Sequence, residues 1–360
     1  MEAATDSDTA NARRARRVLA WTAPIFLLAQ LAVGLCLDRA PLSVRFGDGV
    51  GKLAVASAEP RPDVVFFGSS RFNALIDPAL VQQELREKLG ERAPRVASLA
   101  FIGGDLVGTE FMFNRLLDRG VRPKLAVIEV TPEWLRHPIP FLNGQLLRIF
   151  VWRDVIEWMP ELVLGTRRTL LCARIFPVYC YRNELLTWMT GRPPPYLTGY
   201  REGKPRPRRK PDDPTHGAHR WARTMRGYEV SARALAILDR ALARCRDSGM
   251  ECVLVAPPVA SAQRAILAGD IDAAYKAALA GLREKYGVAF YDESARLPDD
   301  AFRDSSHGNK RGGALFSAIV ADELVLPRFS SPSPRAPSAL PGSRARSSSA
   351  APGPCRASAG

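Results

Sequence analysis

Histidine is scarce in this chain, and the scarcity narrows the chemistry it can perform. Only four histidines occur in 360 residues: His137, His216, His219 and His307. No Cys-x-x-Cys pair, zinc-finger spacing or Walker loop is present, which removes the usual sequence signs of a zinc module or a P-loop nucleotide site. His216 and His219 have the spacing of a metal pair, but they lie in a Pro- and Arg-rich stretch without a third ligand. No metal and no cofactor are assigned. Acidic residues are also in deficit, with 37 Asp and Glu against 51 Lys and Arg and a formal charge of +14. The cations collect at residues 13–17, around 201–226 and in the tail. No aromatic–basic RNA motif accompanies them, so they read as solvated or membrane-facing blocks, and nucleic acid is not an expected partner.

Charge is absent altogether from residues 18–37. A run of that length is enough to cross a bilayer as a helix, with Pro24 and Gln30 tolerated inside it. The preceding cluster Arg13, Arg14, Arg16 and Arg17 should stay in the cytoplasm. Residues 1–17 are therefore a basic cytoplasmic segment, 18–37 a single-pass membrane anchor, and everything beyond is extracytoplasmic. A cleavable signal peptide is the competing reading, but no Ala-x-Ala pattern follows the run. Leu35 also spoils a lipobox before Cys36.

Of six cysteines, Cys36 is in the apolar run and Cys355 in the tail. A Cys172–Cys180 bridge is open in an oxidising compartment, whereas Cys245 and Cys252 read as buried small apolar side chains.

The stretch Asp63-Val-Val-Phe-Phe-Gly-Ser-Ser-Arg71 organises the remainder. Val64 to Phe67 is too short for a helix and is bounded by Pro62 and Gly68. It reads as a strand buried on both faces. Helix-like spacing from Pro78 to Leu89, a strand at 95–101, a helix at 105–119 and a strand at 125–130 give β-α-β-α-β. The aromatic, basic and proline-broken stretch 131–228 interrupts as an insertion outside the central sheet. Regular pattern resumes with a helix at 229–246, a strand at 252–256, a helix at 271–286, a strand at 288–291 and a last helix at 311–323. The expected fold is α/β, a flavodoxin-like three-layer sandwich with a five-stranded parallel sheet of order 2-1-3-4-5, plus the N-terminal transmembrane helix. The domain spans 60–327, and the Ser-, Pro-, Ala- and Arg-rich tail 328–360 is expected to be disordered.

A serine in a tight turn after a strand is placed as a nucleophile but needs a base. Asp304-Ser-Ser-His307 can supply one, since a carboxylate three residues before a histidine can hold one imidazole nitrogen while the other faces the serine. Together, Gly68-Ser69-Ser70 and Asp304-x-x-His307 resemble the blocks of the SGNH (GDSL-type) hydrolase superfamily. That resemblance implies Ser70 as nucleophile, with Ser69 as runner-up, His307 as base and Asp304 as its orienter. It implies an oxyanion hole from the Ser70 N–H and Gly103 or Gly104. The family's third-block Asn is missing, because this chain reads Glu129-Val-Thr-Pro-Glu133 there. Thr131 or the more distant Asn143 would have to substitute. His137 reads as a surface or lid residue.

The chain is further similar to membrane-anchored proteins of envelope-glycan O-acylation. An esterase or O-acyltransferase is thereby implied, acting on an acylated envelope polysaccharide or a small acyl ester, beside a membrane acyltransferase partner. A degenerate scaffold that binds envelope polymer or such a partner is the rival. The topology itself is testable. Alkaline phosphatase fused after residue 60 should be active; an inactive fusion, with an active cytoplasmic reporter at the same place, reverses the orientation.

Overall fold

The computed structural model describes residues 2–41, 46–139, 149–191 and 212–330. Asn143, the proline-rich stretch 192–211 and the tail from 331 onward, on which several expectations fall, lie outside the described residues.

The central strands are β1 (Val64–Phe67), β2 (Val96–Ser98), β3 (Leu125–Glu129), β6 (Glu251–Ala256) and β7 (Ala289–Asp292). They pair in parallel in the order β2-β1-β3-β6-β7. Numbered within the sheet, that is the expected 2-1-3-4-5. Alternation along each strand sorts the core into two layers. Val64, Phe66, Leu125, Val127, Val253 and Val255 pack with Leu75, Leu85, Phe316 and Leu324 on one face. Val65, Phe67, Ala126, Ile128 and Leu254 pack with Met112, Phe113, Leu238 and Tyr275 on the other. Both β1 and β3 are buried throughout, which is why their sequences are unbroken apolar runs apart from Glu129.

The flanking helices start where short polar side chains cap them. Asp77 accepts from the Ala79 N–H at 2.9 Å ahead of Pro78, and Asn309 accepts from Gly312 at 3.0 Å. Several helices escape the sequence reading, Ser261–Leu267 among them. Gly47–Ser57 falls in what reads as a link, yet Phe46, Leu53 and Ala56 join the core. Ser70–Leu75 begins directly at the serine turn, earlier than the expected start near Asp77.

The insertion is outside the central sheet in its described parts. It holds the helices Trp152–Trp158, Leu164–Ile175, Pro177–Cys180, Arg182–Thr190 and Ala218–Thr224. Its entry and exit are stitched by a two-residue antiparallel ribbon, β4 (Arg136–His137) with β5 (Glu229–Val230). The N-terminal helix Glu2–Arg39 contains a 29-residue segment, Asn11–Arg39, long and apolar enough to cross a membrane.

The cysteine expectation is corrected. Cys245 and Cys252 are buried as read, but they are bonded to each other. The turn at Gly249 folds the end of the helix Ala232–Asp247 back onto β6 and leaves their Cα atoms 6.2 Å apart. Cys172 and Cys180 form no disulfide. Non-reducing peptide mapping should recover the Cys245–Cys252 pair. Cys252→Ser should lower stability by about 2 kcal/mol in urea titration, the scale for closing a short loop. A Cys172–Cys180 peptide pair would restore the first reading.

Candidate active site

The carboxyl ends of β1 and β3 border the crevice where the chain, having run outward from β1 to β2, returns to the other side of β1. Such a switch point is where side chains of an open α/β sheet meet a ligand. The turn after β1 sits there. Ser69 is the N-cap of the helix Ser70–Leu75, its hydroxyl accepting from the Arg71 N–H at 3.0 Å. That hydroxyl also donates to the Glu129 carboxylate at 2.7 Å, and the Ser69 N–H donates to the same group at 2.7 Å. Glu129 is fully buried, and burial pushes its pKa up against the opposing pull of Arg71 and Ser69. With both its roles filled, the Ser69 hydroxyl is turned into the protein.

Ser70, one residue on, faces the cleft. Its Oγ–H lies 2.8 Å from Nε2 of His307. The His307 Nδ1–H points to Asp304, 2.9 and 3.0 Å from the two carboxylate oxygens. Asp304 also accepts the backbone N–H of Ser306 and of His307 at 2.9 Å each. Burial raises the Asp304 pKa, but His307 and these N–H groups outweigh it and hold the carboxyl well below its usual range. The structure thus brings Ser70, His307 and Asp304 together in one hydrogen-bonded line. It separates Ser69 from that line.

Ser70 is the first residue of its helix, so its N–H has no intrahelical acceptor. Gly103, at φ +77°, lines the same cleft. Neither N–H makes a hydrogen bond among the described residues. Gly104 differs from expectation: its N–H already donates to the Phe101 carbonyl at 3.0 Å within the turn. Its contribution is space, since a Cβ there would stand 2.7 Å from the Gly68 carbonyl oxygen. Thr131 lines a separate cavity of about 190 Å³ beyond Arg71, away from Ser70.

The cleft itself has a volume of about 350 Å³ and is lined by Ser70, Gly103, Trp134, Arg220, Trp221 and His307, among others. Arg220 and Trp221 come from the helix Ala218–Thr224 of the insertion. Behind them runs a polar chain that the sequence does not announce. Arg71 is buried and grips Glu133 with two nitrogens at 2.7 and 3.2 Å, beneath the Trp221 ring. Glu133 also takes the amide of Gln263 at 2.8 Å, whose oxygen accepts from the Ser305 hydroxyl at 3.2 Å. The Ser305 N–H is in turn held by the His216 carbonyl. His216 therefore serves through its backbone, with its side chain and that of His219 exposed, and no group of three metal-ligating side chains is present among the described residues. His137 is half-buried in β4, outside the cleft.

No protein-family model and no curated protein matches the sequence. Solved structures do resemble the fold. An alpha/beta hydrolase enzyme from the metagenome of Lake Arreo, Spain, is 14% identical, with 72% of this chain and 94% of that one covered and a TM-score of 0.35. A GDSL-like lipase from Bacteroides thetaiotaomicron is 10% identical, with 77% and 95% covered and a TM-score of 0.34. A likeness this distant has no bearing on function.

Asp105 closes the loop that carries Gly103. Its Oδ1 caps the helix Leu106–Asp118 through the Gly108 N–H at 3.0 Å, while its buried Oδ2 has no partner. Burial outweighs the cap and pushes its pKa up to about 7. An unfolded aspartate loses its proton near pH 4. Between roughly pH 4 and the folded value, the native state holds a proton that the unfolded chain has released, so stability falls as pH rises. Asp105→Asn keeps the capping oxygen and cannot ionise. It should flatten a loss that in the wild type reaches at most about 1.4 kcal/mol per pH unit in that window. Urea midpoints at pH 5 and 8 measure it, and an unchanged slope in the variant would assign the loss to other groups.

Proposed function

We propose that the chain is a membrane-anchored serine esterase or O-acyltransferase of the SGNH kind, working on ester-linked acyl groups of cell-envelope glycans. The observation that carries this reading is the unbroken line from the Ser70 Oγ through His307 to Asp304 at the rim of an open cleft. Ser70 attacks an ester carbonyl as His307 Nε2 takes its proton, and the ionised Asp304 stabilises the imidazolium that forms. The oxyanion that develops meets the N–H groups of Ser70 and Gly103, each such donor contributing roughly 3 kcal/mol to the transition state. The leaving alcohol takes the proton from His307. Water or a sugar hydroxyl then gives its proton to His307 and attacks the acyl–Ser70 ester, releasing Ser70.

The cleft walls support a glycan. The half-buried Trp221 side chain offers apolar surface for a sugar ring, and the exposed Arg220 favours an anionic one. The Cys245–Cys252 disulfide fits an extracytoplasmic domain, because such bonds persist in oxidising compartments. A membrane acyltransferase that loads the acyl group is the partner suited to the transfer variant of this reaction.

A fluorophosphonate should label the wild-type protein and not Ser70→Ala. Ser70→Ala and His307→Ala should each remove most turnover of a small acetyl ester, and the double variant should be little worse than either, because the pair acts as a unit. Ser69→Ala should retain labelling while losing stability through the buried Glu129 it leaves under-partnered. Labelling that survives Ser70→Ala but not Ser69→Ala would move the nucleophile by one residue. A wild type that neither labels nor turns over ester is the degenerate binding scaffold instead.

A further inference from the structure

The helices Leu164–Ile175, Pro177–Cys180 and Arg182–Thr190 are not used by the cleft. The first two pack against the apolar N-terminal helix, and the third packs against Pro177–Cys180. Arg174, only 4% exposed, forms an ion pair with Asp38 at the end of the span. Pro177 packs on Gly34, whose Cβ position is 3.5 Å from the Pro177 ring. Phe176 meets Phe26 with ring centroids 6.3 Å apart. Phe26 precedes Asp38 by twelve residues, or about 18 Å of helix. That is comparable with half of the roughly 30 Å hydrocarbon core. The contact between the insertion and the anchor therefore lies at a depth that belongs to lipid, if the anchor spans a bilayer.

The outer surface of these helices matches that placement. Ile175, Phe176, Val178, Tyr179, Leu186 and Met189 are exposed, as are Ile25, Leu28 and Leu31 of the anchor. Residues 164–190 hold one acidic residue, Glu184, against four arginines, Arg167, Arg168, Arg174 and Arg182. The one arginine buried against the anchor is neutralised by Asp38, and Arg168 and Arg182 remain exposed. Arg182 stacks 4.2 Å over the Tyr179 ring, a pairing of cation and amphipathic aromatic suited to the headgroup level.

We propose that residues 164–190 form a wedge that inserts, alongside the anchor, into the bilayer leaflet next to Asp38, with its arginines against anionic lipid headgroups. The proposal rests on the anchor reading. A second copy of the chain would meet the same excess of arginine over acid, whereas an anionic leaflet complements it; lipid is the occupant.

The test uses the full chain in vesicles containing anionic lipid and nitroxide-bearing lipid. A fluorophore is attached to single cysteines after Cys36, Cys172, Cys180 and Cys355 are changed to serine. The sites are Val178→Cys and Met189→Cys on the wedge, Leu27→Cys in the span, and Glu284→Cys on the helix Asp270–Tyr286. The wedge sites should be quenched at least half as strongly as Leu27→Cys, and Glu284→Cys should match a label free in solution. Quenching at Leu27→Cys with none at Val178→Cys or Met189→Cys overturns the wedge and leaves the anchor standing. No quenching at any site overturns both.

Discussion

One buried carboxylate governs this architecture. Glu129 ends β3 inside the protein and takes both the N–H and the hydroxyl of Ser69 at the end of β1. A carboxylate in that position is tolerated only when its lone pairs are filled. The serine turn must therefore adopt the one path that brings Ser69 to it. Gly68 has to be a glycine, because a side chain would collide with the Glu129 carboxylate. Once Ser69 is held, the helix Ser70–Leu75 starts in a fixed direction and Ser70 has a single place to be. Gly104 completes the constraint by letting the loop after β2 press onto the same turn.

The fold was legible because the parallel sheet leaves continuous apolar runs, and helices on both sides leave their own spacing. Val64–Phe67 and Leu125–Glu129 are visible for that reason, as is the helix Pro78–Leu89 between an aspartate cap and Gly90. The helix Gly47–Ser57 was not, since three glycines mask its spacing and its core contacts come from only Phe46, Leu53 and Ala56. At the site, Ser70, His307 and Asp304 could be chosen because two short blocks sat at the right ends of the pattern. Glu129 looked like an interruption of a strand, and Glu133 and Gln263 like unremarkable polar residues. Their roles depend on partners 60 and 130 positions away, a separation no local spacing encodes. A glutamate in an otherwise apolar buried strand was the available signal for the first. Nothing comparable marked Gln263 or the Cys245–Cys252 bond.

The polar chain Arg71–Glu133–Gln263–Ser305 gives the two halves of the site a common frame. Arg71 belongs to the serine helix and Ser305 to the histidine loop, and the links between them are buried. Removing one member would strand a charge or an amide away from water, so the arrangement resists small displacements of either half. The insertion joins this frame at the top. Trp221 covers Arg71, and the His216 carbonyl fastens the Ser305 backbone. An excursion that the sequence reads as an interruption is thus part of what holds the histidine loop in place.

The hydrogen bond between Ser70 and His307 joins residues 237 apart in the chain. During synthesis at about 5–20 residues per second, the ribosome releases the serine turn well before it has made the imidazole. Contacts of such sequence separation also pay the largest loop-closure entropy and form late in folding. A nascent or truncated polypeptide can hold β1, β2 and β3 and still carry an inert hydroxyl. The assembled line from Ser70 through His307 to Asp304 is then among the last features the polypeptide acquires.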